Sequence, residues 1–359
     1  MARAPALTVA IPTWNGRHLL EPCLRALAAA EPVGGVETSV LDNGSADDTA
    51  GWLERSHPEV KVLASSRNLG FAAACNRLVR AARTRLVLLL NNDVEVEPEA
   101  LVELLRAHER TGAASVGARV LSADGRSVEF DGGTMNFHGH GAGRRHGARA
   151  AAVAAEREPR PTLFACGAAM LVDREAFLAA GGFDECYFAY FEDVDLGWRL
   201  WLLGEECAIA PAARVRHRGQ ASERALGREG RLPLLERNAL LTIYKNYEPD
   251  VGERIFACAL ALLEERARLD PGRAGACRSG LLSALAALPE AERRRGELAR
   301  RRSRSDREVA PLFAEPWRPV VAGAEYARVQ AELAARFGVA ELLGLAPVDA
   351  SAAARAPAP

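Results

Sequence analysis

Apolar and polar positions in the first 120 residues alternate between strand-like runs and helix-like stretches. Residues 7–12 form a short β-rich run, and 19–30 read as a helix with Pro22 near its start. A second strand is expected at 37–42. Ser45 and Asp48 then resemble a capping box for a helix through Trp52 and Arg55. A third strand at 60–64 precedes an Ala-rich helix over 70–82. Residues 86–90 are an unbroken apolar run, as in a strand buried on both faces, and Pro98 opens the next helix.

Strand and helix at this spacing imply right-handed crossovers and a mostly parallel sheet flanked by helices, an α/β fold. Ligands of such sheets bind at the carboxyl ends of the strands. Polar residues cluster at those ends in this chain: Thr13-Trp14-Asn15, Asp42-Asn43-Gly44 and Asn91-Asn92-Asp93.

The pattern breaks over 121–162, which is rich in Gly, Arg and His and reads as a mobile loop or small excursion. His138, His140 and His146 could form a metal tract there, but a solvated Gly-rich loop is the simpler reading. Regular structure resumes at Phe164. A turn at Gly181-Gly182, a helix over 193–203, a short strand over 207–210 and a helix over 232–246 follow. Beyond Asp250 the chain reads as helical and Arg-rich. This gives a main domain over 1–247, a helical extension over 248–345 and a disordered Ala/Pro tail over 346–359.

Composition narrows the function classes. With 359 residues, 49% hydrophobic and 26% charged, a well-buried core is expected, and a net charge of −1 gives no global attraction for nucleic acid. Seven scattered cysteines without a CxxC pair read as reduced thiols. The opening MARAPALTVAIPTW contains no apolar leader core, and no stretch approaches the roughly 20 residues of a spanning helix. A cytoplasmic protein is expected, at most resting on the inner face of the membrane.

Motifs for a P-loop, an HExxH zinc site, a GxSxG elbow and a GxGxxG dinucleotide site are absent. Asp93, just past a buried strand, is placed to bind a hard cation, although Asn91-Asn92-Asp93 alone is also an ordinary polar turn. Asp42 is similarly either a ligand to a base or ribose, or part of an Asx turn. Glu192, Asp193 and Asp195 crowd a helix start, where the dipole favours negative charge. Asp195 can pair with Arg199 one turn on. Glu192 and Asp193 follow a run of aromatics, a setting suited to a general base for a hydroxyl.

Seven ordered segments now carry a resemblance: IPTWNGRHLLEPCL (11–24), VLDNGSADDT (40–49), RNLGFAAACN (67–76), LLLNNDV (88–94), CGAAMLVDREAFLAAGGFDECYFAYFEDVDLGWR (166–199), VRHRGQAS (215–222) and RNALLTIYKN (237–246). Together they resemble the family 2 inverting glycosyltransferases of GT-A fold, above all their rhamnosyltransferase-like branch. The resemblance implies that Pro12, Thr13, Asn15 and Asp42 hold the nucleotide, with Asn68, Gly70 and Phe71 forming a wall beside it. Asn91, Asn92 and Asp93 fall on the family's DxD-like motif. Asp93 is its metal-binding carboxylate, and Asn91 replaces the first Asp. Asp193 matches the catalytic base of the ED motif and Glu192 its neighbour. His217 falls where a histidine approaches the metal, Mg2+ or Mn2+, or the diphosphate, and a structural histidine is the competing reading.

The same resemblance implies dTDP-L-rhamnose as donor and a glycan or polyprenyl-diphosphate-linked acceptor, in cell-surface polysaccharide assembly. The alternative is an inactive nucleotide-sugar-binding scaffold, which would have no need of an intact Asp193. Arg293–Arg295, Arg300–Arg302, Arg304 and Arg307 form a basic patch. It reads either as a contact for anionic lipid or as a solvated face balanced by nearby Glu. Phe313 and Trp317 are placed to dock the extension on the main domain or on a partner.

Overall fold

The computed structural model describes residues 7–30, 35–219, 221–321 and 323–347. The expected tail therefore lies, from 348 on, outside the described residues, as do the first six residues and Gln220 of the 215–222 segment. The first half runs β1 (Leu7–Thr13), α1 (Arg17–Ala29), β2 (Val36–Asp42), α2 (Thr49–Ser56), β3 (Lys61–Ala64), α3 (Phe71–Ala81), β4 (Leu86–Leu90), β5 (Val94–Val96) and α4 (Ala100–Thr111). Next come β6 (Ser115–Ser122), β7 (Val128–Phe130), β8 (Gly133–Met135), β9 (Gly141–Gly143), α5 (Ala150–Val153), β10 (Arg160–Pro161), β11 (Ala169–Asp173), α6 (Arg174–Ala179), α7 (Glu192–Leu202) and β12 (Cys207–His217). Helices α8 (Ala221–Asn246), α9 (Pro249–Leu269), α10 (Ala274–Ala299), α11 (Asp306–Val309), α12 (Ala324–Arg336) and α13 (Val339–Leu343) complete it.

The main sheet has the order β10-β12-β6-β11-β4-β1-β2-β3, with β5 on β12 and β7 on β6. β3, β2, β1 and β4 are parallel, β11 is inserted antiparallel between β4 and β6, and β12 is parallel to β6. Consequently β1, β2, β3, β4, β6 and β12 all run the same way. Their carboxyl ends share one edge, which carries Thr13, Asp42, Asn91 and His217. The apolar runs of β1 and β4 are buried end to end or nearly so, which is why they read so clearly as central strands.

By packing, the chain divides into two compact units. The first holds the main sheet and comprises residues up to 132, 143–197 and 205–224. The second comprises 133–142, 198–204 and everything from 225. In the second, Ile255, Cys258, Ala259, Leu262 and Leu263 form the buried stripe of α9 at helical spacing. Arg266, on the same stripe, is buried with Nη2 2.8 Å from Glu236 and Nη1 3.2 Å from the Tyr326 hydroxyl.

Several expectations are corrected. Residues 121–162 are neither a mobile loop nor a solvated one. Asp131, Thr134, Asn136, Phe137 and His138 are buried, and the segment supplies β7, β8, β9, α5 and β10. Its glycines serve close packing: Gly139 lies at φ +91, and a Cβ there would stand 2.4 Å from the Ala239 carbonyl oxygen. His138 and His140 also form no metal tract. Their Nδ1 atoms lie 3.2 Å apart, His138 reaches Gln330 and His140 reaches Glu236 at 3.4 Å, all inside the second unit.

The capping box does not form either. Ser45 Oγ accepts from Asn15 N–H at 2.8 Å, Asp48 is left-handed at φ 57, and the α2 start is served by Asp47 at 3.2 Å from Thr49 N. Helix α1 starts at Arg17, placing Pro22 in its interior. β12 continues to His217 past a register shift between Ala210 and Arg214, an irregularity that breaks its alternation and hid its second half. Helix α8 begins well before 232 and contains a non-helical Gly227.

All seven cysteines are free, and no helix among the described residues is long and apolar enough to cross a membrane. The basic patch is largely engaged within the chain. Arg293 and Arg294 pair with Glu290, Arg302 pairs with Asp306, and Arg307 binds the carbonyls of Glu341 and Leu342. Phe313 and Trp317 pack inside the second unit, Phe313 against Trp198 and Tyr247 and Trp317 against Phe137.

Candidate active site

The strand ends are tied together by their polar side chains. Pro12 and Thr13 end β1 beside Leu41 and Asp42 of β2. The Thr13 hydroxyl accepts from Asn92 Nδ2 at 2.8 Å, joining the ends of β1 and β4. Gly16 permits this approach, because a Cβ there would lie 2.2 Å from Asn92 Nδ2. Asn15 sits in the left-handed region at φ 50, which asparagine tolerates. Its side chain accepts from Ala46 N–H at 2.8 Å, and Asp42 accepts from Ser45 N–H at 3.0 Å. The loops after β1 and β2 are thereby locked to each other.

Asn43, whose place after a strand equally suits a turn, organises the next wall. Buried at the end of β2, it donates to Asn68 Oδ1 at 3.1 Å and to the Gly70 carbonyl at 3.2 Å, and accepts from Leu69 N–H at 2.9 Å. Asn68 in turn accepts from Gly70 N–H at 2.8 Å. Gly70, at φ +84, faces Phe188 so closely that a Cβ would meet its ring and carbonyl at 2.6 Å. That carbonyl accepts from Phe71 N–H at 2.7 Å and caps the start of α3.

Phe188 belongs to the segment that delivers the acid pair. Asn76, buried in α3, holds Phe183 by both main-chain groups, at 2.8 and 2.9 Å, and so fixes the turn after Gly182. Phe188, Tyr190 and Phe191 then all have positive φ, at 63, 69 and 65. Such backbone costs on the order of 1–2 kcal/mol per non-glycine residue. Strain concentrated in three aromatics directly before Glu192 marks a segment shaped for a task.

Glu192 and Asp193 open α7, with Asp195, fully buried, in the same turn. Asp193 is half-buried; Oδ2 accepts from Gly167 N–H at 3.1 Å and Oδ1 from Val194 N–H at 2.9 Å. Burial raises its pKa, and those donors partly oppose the rise. Glu192 is buried, with no hydrogen-bond partner for Oε2 among the described residues. Burial first, and the Asp193 charge second, push its pKa well above the usual carboxylate range. Gly167 leaves room for the Phe71 ring, 3.1 Å from where a Cβ would be. The neighbouring Ala168 carbonyl accepts from Asn91 N–H at 3.0 Å. This short chain of contacts connects the acid pair to the β4 end that bears Asn91, Asn92 and Asp93.

Asp93 is buried and stands 3.2 Å from His217 Nε2, at the end of β12. His217 Nδ1 is 2.8 Å from Glu129 Oε2, a residue with no motif of its own in the 121–162 segment, whose composition reads as an excursion. Burial alone would lower the His217 pKa, but hydrogen bonds to the two carboxylates outweigh it and bring it to about 9. Among the described residues no group of three or more His, Cys, Asp or Glu stands ready to hold a metal ion, since the imidazole lies between the carboxylates. Asp93 and His217 do present adjacent donors. Their 3.2 Å spacing is near the roughly 3 Å edge between neighbouring ligands of an octahedral ion with bonds of about 2.1 Å. Carboxylate and imidazole are donors that suit Mn2+ or Mg2+, so the residues fit such an ion.

These features agree with known proteins. Residues 8–178 match the family described as Glycosyl transferase family 2. The N-acetylglucosaminyl-diphospho-decaprenol L-rhamnosyltransferase of Mycobacterium tuberculosis is 32% identical over 232 residues, 58% of this chain and 74% of that protein. An uncharacterised protein of Sinorhizobium fredii is 30% identical over 231 residues, 62% of this chain, which spans only 25% of that relative's length. A mannosyltransferase from Pyrobaculum calidifontis, solved with GDP-Man and Mn2+, superposes with a TM-score of 0.51 at 17% identity. The match covers 95% of this chain and 88% of that one, a likeness of fold alone. With its sheet, its strand-end residues and these relatives in agreement, the chain belongs to glycosyl transferase family 2 and adopts the GT-A fold.

Proposed function

We propose that the protein transfers a sugar, with inversion, from a nucleotide-diphosphate sugar to an acceptor hydroxyl, with Asp193 as the general base. One observation carries the reading most directly: Asp193 is anchored through Gly167 and Ala168 to the strand end that bears Asn91 and Asp93. A base is thereby held beside the edge where a GT-A fold receives its donor. Thr13, Asn15 and Asp42 hold the nucleotide, and Asn68, Gly70 and Phe71 line the wall beside it. Asp93 and His217 would hold a divalent cation, Mg2+ or Mn2+, whose charge would offset that developing on the diphosphate leaving group.

Asp193 takes the acceptor proton while the hydroxyl oxygen attacks the anomeric carbon on the face opposite the diphosphate. One displacement inverts that centre and needs no enzyme nucleophile. Burial favours this role, because a carboxylate with a raised pKa is a stronger base toward a hydroxyl. Glu192, whose pKa burial also raises, lies beside it.

For the donor we favour dTDP-L-rhamnose, supported by the relative named as an L-rhamnosyltransferase. For the acceptor we favour a polyprenyl-diphosphate-linked glycan of a surface polysaccharide, met by a cytoplasmic enzyme at the inner face of the membrane. The test compares wild type with Asp193→Asn across a panel of nucleotide sugars, with and without Mn2+ or Mg2+. Donor binding should survive in the variant while transfer falls on the order of 100-fold or more. Transfer within a few-fold of wild type would remove Asp193 as the base, and failure to bind any nucleotide sugar would end the whole reading.

A further inference from the structure

Glu129 is the middle residue of β7, and its neighbours Val128 and Phe130 are both buried. Val128 and Phe130 pair with Leu121 and Val120 of β6, so Glu129 is the extra residue where the register shifts and stands outside the regular pairing. Its main chain is held firmly. β7 pairs with β6, Gly147 N–H donates to the Val128 carbonyl at 2.8 Å, and His146 Nδ1 lies 3.1 Å from the Glu129 carbonyl oxygen. The carboxylate carried by this strand ends 2.8 Å from His217 Nδ1.

The two ring nitrogens of His217 therefore have separate surroundings. A carboxylate can only accept, so Nδ1 donates to Glu129 and Nε2 donates to Asp93 at 3.2 Å; a cation bound at Nε2 would take the place of that second hydrogen. We propose that Glu129 is the positioning residue of the metal centre: by accepting the Nδ1 hydrogen it fixes the ring plane and the tautomer that present Nε2, beside Asp93, to a divalent cation. This rests on the reading that Asp93 and His217 hold that cation. Glu129 acts through the histidine and is not itself a ligand, because the imidazole stands between it and Asp93. A carboxylate behind a metal-binding histidine raises the basicity of the ligand and holds its orientation.

The experiment is a Mn2+ titration followed by electron paramagnetic resonance, with and without dTDP. It covers wild type, Asp93→Asn, Glu129→Ala, Glu129→Gln, His217→Ala and the Glu129→Ala/His217→Ala double variant. Asp93→Asn should lose binding. Glu129→Ala should bind Mn2+ roughly 10- to 100-fold more weakly. Glu129→Gln keeps an acceptor oxygen and should recover most of that loss. In the His217→Ala background, removing Glu129 should change affinity by less than about twofold, since the partner it positions is already gone. A Glu129→Ala variant as tight as wild type overturns the proposal, and so does an equal loss with or without His217. If Glu129→Ala gives no cooperative thermal melt, Glu129→Leu, alone and combined with His217→Ala, replaces it in the same comparison and is read by the same criteria. Wild type that binds no Mn2+ under either condition instead overturns the metal reading itself, and the proposal with it.

Discussion

Asp131 is the residue whose loss should cost the first unit most. It is fully buried and receives three guanidinium groups. Arg119 approaches with Nε at 3.0 Å and Nη2 at 3.2 Å, Arg160 with Nη2 at 2.8 Å and Arg145 with Nη1 at 3.1 Å. Asp131→Asn keeps the shape and removes the charge. Arg145 and Arg160 are partly exposed and can turn to water, so each should contribute under about 1 kcal/mol. Arg119 is only 1% exposed and cannot. Leaving one member of a buried pair uncompensated costs roughly 3–5 kcal/mol. At a urea dependence of about 3 kcal/mol per molar, the unfolding midpoint should fall by about 1–1.7 M.

Urea unfolding of wild type, Asp131→Asn and Asp131→Asn/Arg119→Met, followed by circular dichroism, measures this. The double variant should regain much of the loss, because the buried cation is gone. The pH dependence has a definite sign. Burial raises the Asp131 pKa, but the arginines outweigh it and hold it below the usual 3.8. The stability it confers is thus fully present above pH 3.8 and is lost as pH falls through the lower folded value. The gap between wild type and Asp131→Asn should close only in that acid range. A single variant that costs under about 1 kcal/mol, or no recovery on removing Arg119, would refute the argument.

Two further outcomes follow from the site. Gly70→Ala should lower the melting temperature and cut transfer at least about tenfold, since φ +84 costs an alanine about 1–2 kcal/mol and its Cβ would strike Phe188 at 2.6 Å; thermal melts and initial rates check it, and wild-type values for both would show that the Phe188 contact is dispensable. Glu192→Gln should gain stability over wild type as pH rises above 4.5, the ordinary glutamate value. The raised pKa of Glu192 confers stability below that value which is lost as its carboxyl ionises in the folded protein. Melts from pH 4 to 8 check this, and a difference that does not vary with pH would contradict it.

Much of the first unit is legible in the sequence because its signals are local. The apolar runs of β1 and β4 and the polar residues that end them sit within a few positions of each other, and a buried parallel strand needs little else. What failed depends on partners far along the chain. Ser45 caps nothing because Asn15, 30 residues earlier, takes its hydroxyl. Glu129 gains its meaning from His217, 88 residues on. The Gly, Arg and His content of 121–162 looked like solvated loop, yet Arg119 neutralises Asp131 and the glycines permit turns and close approaches. Composition cannot distinguish a charge left in water from one buried against its partner. Asp193 stands out through its motif and the aromatics before it, whereas Gly167, whose N–H donates to it, carries no comparable local mark.

The chain leaves the first unit after Gly132, supplies residues 133–142 to the second, and returns at Gly143. That excursion is built deeply into its destination: the Phe137 carbonyl accepts from the Tyr247 hydroxyl at 2.8 Å, Thr134 bonds the Phe313 carbonyl, and Met135 bridges to Ala314. Residues 198–204 do likewise, with Ser303 N–H donating to the Leu202 carbonyl at 2.8 Å. No single cut separates the units. A gene fragment stopping before α9 would still encode Phe137 and Trp198 but none of the Phe313 and Trp317 surfaces that cover them. Recombination that swaps one half for a foreign one would expose apolar surface on both sides of the junction. Any replacement of the helical part of this protein would therefore have to carry both inserted segments, 133–142 and 198–204, along with it.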